Sequence, residues 1–554
     1  MPIPSRWTVP VPEVSLPSWV FGSPLEPLPS FKAYFDADHP ETHYLTFSDF
    51  RLLSKRVALG LKNAGLRPGD RVLLFAGNSI YFPSIFMGII MAGGIFTGAS
   101  PAFGVAELAY QLKDSGATFA IVQKSNLPVA LEAASKANLA VERIYAFDSA
   151  ITGSASGDVK HWSDLLADTA DAQQFDWVEP AVPQETTCCL NYSSGTTGAP
   201  KGVEITHYSY VANGEACHHL ERMKPCPKEP PQTKTSICFM PMYHAAGQTT
   251  FAVNNPKMRV STGVMPVYTF EKLLSSVEKF KVTSLSAAPL IVLQLAKDPL
   301  CARYDLSSVQ EILCGTAPLA LEIAREAEQR LWPNTDNFIR QGWGMTEITC
   351  SGALWSHDDR KKTMSVGEAV PNASFRLRNG EEEVTVPNKT GELWFSGPSV
   401  MKGYWRNPRA TRETIVEENG TRWLKTGDIA YVDTYGPGAK IFIVDRIKEL
   451  IKVRGFQVSP SELEGVLLDR PDVVDAAVVG VMVDGEEKPR AYIVRNQNVT
   501  EQEIIRWMEG RVAKYKWLRG GVVFVDHIPR TQSGKVLRRH LREIAPGSLK
   551  AKLA

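Results

Sequence analysis

The sequence predicts an α/β protein: a large N-terminal domain on doubly wound parallel sheets, a β-rich subdomain, and a small α+β C-terminal domain. Three observations carry this reading. Apolar strand-like runs alternate with helical patterns through the first half of the chain and beyond, as parallel sheets covered by helices require. Past Ser365 the texture changes to short strands between turn residues. Beyond Asp445-Arg446-Ile447-Lys448 a further unit has strands and helices of its own. The expected boundaries are residues 1–446, with the β-rich part at about 365–446, and residues 449–554.

Residues up to about 45 look irregular. From Thr46 to Leu61, Phe50, Leu53, Val57 and Leu59 recur at helical spacing. Arg67-Pro68-Gly69-Asp70 makes a turn, and Arg71-Val72-Leu73-Leu74-Phe75 reads as a buried strand. Tyr81 to Ala99 is almost wholly apolar, but Pro83 and its glycines make it a buried helix, a turn and a strand rather than a membrane span. Phe119 to Val122 and Val141 to Phe147 read as strands. Residues 153–185 are polar with no strong strand. Ser236 to Met242 reads as a strand ending at Tyr243-His244, and further strands fall at 283–286, 309–313 and 338–340. In the β-rich part the strands are Phe375 to Leu377, Gly391 to Ser396 and Ile441 to Val444. The last unit has strands at 476–481, 490–494 and 522–525, and helices over Pro460 to Leu468 and Glu501 to Val512.

The 554 residues carry a formal net charge of +1, which gives no electrostatic case for nucleic acid or an anionic membrane. Eight cysteines are scattered without a C-x-x-C pair or zinc spacing, as in a reducing compartment. The proline-rich start is not a secretory signal. These features fit a cytoplasmic protein. The ending Ala551-Lys552-Leu553-Ala554 departs by one residue from a peroxisomal tripeptide address.

One stretch organises the chain: Tyr192-Ser193-Ser194-Gly195-Thr196-Thr197-Gly198-Ala199-Pro200-Lys201-Gly202. Glycines let backbone N–H groups converge, hydroxyls add donors, and Lys201 adds a positive charge. Such a loop suits a polyphosphate; taken alone, it is equally a polar surface turn. The Walker pattern fails, because Lys201 follows Pro200 and Gly202 stands where a magnesium-binding Ser or Thr would be.

Further strings follow in order: Pro241-Met242-Tyr243-His244, Gly315-Thr316-Ala317-Pro318, Gln341-Gly342-Trp343-Gly344-Met345-Thr346-Glu347, Thr426-Gly427-Asp428, Asp445 to Val458, and Pro529 to Val536. Alone, each has an ordinary structural reading: a packing tryptophan, a turn-capping aspartate, a strand-end histidine, solvated lysines. Together with the glycine-rich loop they resemble the acyl-adenylate-forming superfamily of AMP-dependent synthetases and ligases. The nearest resemblance is to 4-coumarate-CoA-ligase-like enzymes.

The resemblance implies an ATP-dependent acid–thiol ligase that forms an acyl-adenylate and then a coenzyme A thioester, with Mg²⁺ as cofactor. ATP and AMP would be bound by Ser193, Ser194, Gly195, Thr196, Thr197, Gly198, Lys201, Thr316, Gln341, Gly342, Trp343, Gly344, Thr346, Asp428, Arg446, Lys452 and Lys535. Trp343 stands where most members have tyrosine and would stack on adenine. Asp428 would accept both ribose hydroxyls. Glu347 and Thr197 would hold the metal. Lys535, His244 and Glu347 are the expected catalytic groups. Residues 447–448, with Lys448, would be the hinge of a mobile C-terminal lid, and Arg454 and Gly455 would border the coenzyme A tunnel. His244, Ala246, Thr250, Gly315, Ile348, Leu354 and Cys314 are the acid-pocket candidates. Ala246 replaces a tyrosine of the plant hydroxycinnamate ligases, and Thr269 replaces a lysine near coenzyme A. The partners implied are a carboxylic acid (aryl, arylalkanoic or medium-chain), ATP and coenzyme A. A carrier protein as acceptor, luciferase-like oxidation of the adenylate, and non-catalytic nucleotide binding are the alternatives.

Overall fold

The computed structural model describes residues 2–193, 199–224, 234–359, 362–454, 456–531 and 534–543. Two largely parallel sheets form the centre of the large domain. One runs in the order 403–404, 201–206, 187–193, 95–99, 71–75, 117–123, 144–147, 160–161. The other runs 340–341, 311–314, 284–287, 235–238, 261–264, 32–36, 44–46. Strands buried on both faces read as unbroken apolar runs, and Arg71–Phe75 is the clearest case. The helix Phe82–Met91 is buried on every side and packs against the helix Phe47–Asn63. Thr46 caps that second helix in a capping box with Asp49. Burying each such Phe, Ile or Met stabilises the core by roughly 1.5–3 kcal/mol relative to exposure.

Among the described residues no helix is long and apolar enough to cross a membrane. The Tyr81–Ala99 stretch resolves into a buried helix and the strand Ile95–Ala99.

The β-rich part is one antiparallel sheet whose path runs 3–4, 374–379, 391–396, 421–432, 415–418, with 382–383 and 441–446 attached. The C-terminal domain carries the hairpin Val473–Val483 and Glu486–Arg495, with Val522–Phe524 parallel to its second strand. It touches the large domain where Lys297 Nζ donates to the Leu468 carbonyl at 3.0 Å.

Three expectations are corrected. Residues before 45 are not irregular: they hold the helix Leu16–Phe21 and the strands Ile3–Pro4, Lys32–Asp36 and Tyr44–Thr46. Lys32–Asp36 enters the sheet through Ser261–Val264, far away in sequence, and its short local partner Tyr44–Thr46 gives too weak a pattern to reveal it. Pro4 is tolerated because Ile3–Pro4 lies on a sheet edge. Val141–Arg143 is a 3₁₀ turn, and the strand starts at Ile144. The strand predicted to reach His244 stops at Cys238. Residues 239–244 run past its end, and His244 becomes the N-cap of the next short helix.

Candidate active site

A cavity of about 590 Å³ opens at the carboxyl ends of the parallel strands, where ligands of open α/β sheets bind. Strand 187–193 delivers Ser193, 284–287 delivers Ser286 and Ala287, and 311–314 is followed by Gly315 and Thr316. Strand 340–341 leads into Gly342 through Glu347. The C-terminal domain closes the cavity with Thr531 and Lys535.

Of the predicted residues, Ser193, Lys201, His244, Ala246, Thr250, Gly315, Thr316, Gly342, Trp343, Gly344, Thr346, Glu347, Leu354, Arg446, Lys448 and Lys535 line this one space. Ser194 to Gly198, Gly455 and the chain's last four residues lie outside the described residues.

Asp428 sits just behind the wall. The Trp343 indole N–H donates to its Oδ2 at 2.8 Å, and Arg446 Nε lies 3.2 Å from its Oδ1. Burial raises the Asp428 pKa, while Arg446 and the indole N–H pull it the other way. Trp343 is itself buried edge-on against Phe375, with ring centroids 5.6 Å apart. Its neighbour Gly344 has no room for a side chain: a Cβ there would stand 1.7 Å from the Cys350 carbonyl oxygen.

His244 is held by its backbone. Its N–H donates to the Pro241 carbonyl at 3.2 Å, and its carbonyl accepts from the Gln248 N–H at 2.9 Å. Asn78 pins the same segment, donating to the Met240 carbonyl at 3.0 Å and accepting from the Met242 N–H at 2.9 Å. Burial lowers the His244 pKa and Lys535 lowers it further, so the imidazole is neutral near pH 7.

Lys535 reaches in from a loop fixed on its own domain. Arg530 clamps Asp475 at 2.8 and 3.1 Å, and the Thr531 N–H donates to the Lys535 carbonyl at 2.8 Å. Gly534 has φ +84, and a Cβ there would stand 3.0 Å from the Ala288 Cβ of the large domain. Burial, then Arg446, lowers the Lys535 pKa, and Glu449, 3.9 Å away, opposes them.

Glu347 is buried, and its Oε1 accepts from the Tyr404 hydroxyl at 3.0 Å. Among the described residues it has no ion-pair partner, and no group of three His, Cys, Asp or Glu could hold a metal. A hard carboxylate on the cavity wall fits Mg²⁺, which takes one or two carboxylates and completes its shell from phosphates and water.

Six predicted residues lie elsewhere. The Gln341 amide is spent on the chain, accepting from the Leu319 N–H at 2.9 Å and donating to the Met364 carbonyl at 3.0 Å. Ile348 and Cys314 are packed into the apolar core. Lys452 borders a separate groove with Lys448, Met482 and Arg542. Arg454 pairs with Glu486 on the surface at 3.0 Å. Thr269 caps the helix Phe270–Phe280. The sequence reading overlooked Asn78, Met240, Ser286, Ala287, Lys425 and Tyr404. For Ser286 and Ala287 a signal was present, since small residues ended a predicted strand.

Comparison with known proteins places the chain in a family. Residues 28–405 match the AMP-binding enzyme family, and residues 462–535 match the AMP-binding enzyme C-terminal domain. The chain belongs to the AMP-binding enzyme family. Phenylacetyl-CoA ligase epaB of Aspergillus niger is 34% identical over 97% of this chain and 98% of its own. 4-Coumarate–CoA ligase 1 of Petroselinum crispum is 36% identical over 91% of this chain and 90% of its own. The solved structure of ATP-bound MatB from Rhodopseudomonas palustris superposes with a TM-score of 0.81 at 25% identity, over 96% of this chain and 98% of that one. This family member therefore carries both domains of the fold.

Proposed function

We propose that the protein is an AMP-forming acid–coenzyme A ligase. One observation carries the reading: Lys201 of the large domain and Lys535 of the C-terminal domain meet in a single cavity with His244 and Glu347. A carboxylate is a poor acyl donor, since its leaving group would be oxide. Attack of its oxygen on the α-phosphorus of ATP forms the acyl-adenylate and breaks the bond to pyrophosphate. Two anions must approach, so positive charge is needed where negative charge gathers. Lys201 serves the polyphosphate, and Lys535 serves the carboxylate and the α-phosphate. Neutral His244 gives the acid a hydrogen-bonding neighbour without competing for its charge. Mg²⁺ held at Glu347 would supply Lewis-acid stabilisation of the phosphates. Asp428, aimed by Trp343 and Arg446, accepts from the ribose. In the second step the coenzyme A sulfur attacks the acyl carbon and AMP leaves, with Lys535 withdrawn as the C-terminal domain turns about Lys448.

The acid end of the cavity is built from Met240, Ala246, Thr250, Ser286, Ala287 and Leu354. None of these carries a charge, which supports a neutral monocarboxylic acid, aryl, arylalkanoic or medium-chain. The small side chain of Ala246 leaves width there. The test is acid-dependent pyrophosphate release across a panel of acids, with and without coenzyme A. Coenzyme A-dependent thioester formation is expected with a neutral acid. Release without thioester points instead to a carrier protein or an oxidised adenylate, and silence with every acid rejects the ligase reading.

A further inference from the structure

Tyr404 stands on the cavity wall between Lys201 and Glu347 and touches both. Its hydroxyl donates to Glu347 Oε1 at 3.0 Å, and the Lys201 ammonium lies 4.4 Å from its ring centroid. The backbone holds it there. The short strand Gly403–Tyr404 pairs antiparallel with Lys201–Thr206, with Val203 opposite Tyr404. Trp405 N–H donates to the Gly202 carbonyl at 2.8 Å, and Met401 N–H to the Glu347 carbonyl at 2.8 Å. The Thr411 hydroxyl accepts from the Tyr404 N–H at 2.9 Å. One short segment is thus bonded to both elements whose charged side chains it meets.

Both contacts hold a charge without cancelling it. A neutral hydroxyl orients a carboxylate and leaves its full negative charge, where a lysine or arginine would neutralise it. An aromatic face attracts an ammonium without neutralising its charge, which stays available to phosphate oxygens. We propose that Tyr404 is a positioning residue for nucleotide activation: its hydroxyl aims Glu347 at a divalent cation, and its ring seats Lys201 at the polyphosphate end. This rests on the ligase reading given above.

The test uses full-length protein and two variants. Tyr404→Phe keeps the ring and removes the hydroxyl, and Tyr404→Leu removes both. Mn²⁺ binding is read by electron paramagnetic resonance with an α,β-methylene analogue of ATP, and binding of the metal-free analogue is read in EDTA. Tyr404→Phe should weaken Mn²⁺ binding about ten- to hundredfold, as losing the partner that orients a metal-binding carboxylate does, and leave metal-free binding unchanged. Tyr404→Leu should weaken both. Near-isosteric Tyr404→Phe decides the matter if Tyr404→Leu does not fold. Wild-type protein that releases pyrophosphate, together with unchanged Mn²⁺ affinity in Tyr404→Phe, overturns the assignment of Tyr404. Wild-type protein that releases none with any acid overturns the ligase reading itself.

Discussion

Lys201 and Lys535 bring the same ammonium to the same cavity by different routes. Lys201 opens a strand in the interior of the eight-stranded sheet, with its backbone paired to Ser193. Its place is set by the fold of the large domain alone. Lys535 belongs to a loop whose clamps, Arg530 to Asp475 and Thr531 to Lys535, lie entirely within the C-terminal domain. Its position in the cavity therefore depends on how that domain is seated. One charge is thus fixed by the large domain and the other by the seating of the C-terminal domain, as the proposed two-step ligase would require.

Removing each lysine in turn separates the two roles. Lys535→Ala should slow adenylate formation about a hundredfold or more, the scale of lost electrostatic stabilisation at a reacting centre. Thioester formation from presynthesised adenylate should be spared. Single-turnover pyrophosphate release and thioester appearance measure the two halves. An equal fall in both would show that Lys535 is not delivered for one step. Lys201→Ala should raise the KM for ATP without this split.

A smaller effect tests the delivery itself. Gly534 combines a left-handed φ with close approach to Ala288. Gly534→Ala should tilt the loop and slow adenylation about tenfold, since misplacement by a fraction of an ångström weakens a preorganised charge. The second step should again be spared. A matching loss in both steps would mean general damage to the C-terminal domain.

What the sequence reveals of the fold differs between regions of the chain. Where a strand is buried on both faces, the apolar run and the strand coincide, as at Arg71–Phe75 and Gly391–Ser396. Helices with capping signals were equally legible, as at Pro460–Leu468. The first 45 residues were not, because Lys32–Asp36 joins its sheet by pairing with Ser261–Val264, far along the chain, and its local partner Tyr44–Thr46 is only three residues long. Within the site, motif residues at strand ends were readable, whereas Asn78 and Tyr404 were not. Each acts through a partner distant in sequence: Asn78 on Met240 and Met242, Tyr404 on Glu347. Gln341 and Ile348 show the converse. A motif put Gln341 in the expected site and its apolar side chain put Ile348 in the expected acid pocket, but one spends its amide on Leu319 and Met364 and the other packs in the core.

The smallest expected effect sharpens the comparison through pH. Burial and the neighbouring Arg446 disfavour the charged form of Lys535, so its pKa lies below the ordinary lysine value of 10.5. Its ammonium is lost as pH rises through that lowered value. Adenylation should therefore fall on the alkaline side before an exposed lysine would titrate, and thioester formation from presynthesised adenylate should not follow that limb. Lys535→Arg keeps a charge that does not titrate in this range, so the limb should vanish even where the rate is reduced. Trp343→Phe, which removes the indole donor to Asp428, should leave the limb in place and raise the KM for ATP about three- to tenfold. If the limb survives in Lys535→Arg, the titrating group belongs to the large domain and the delivered charge does not set the alkaline limit.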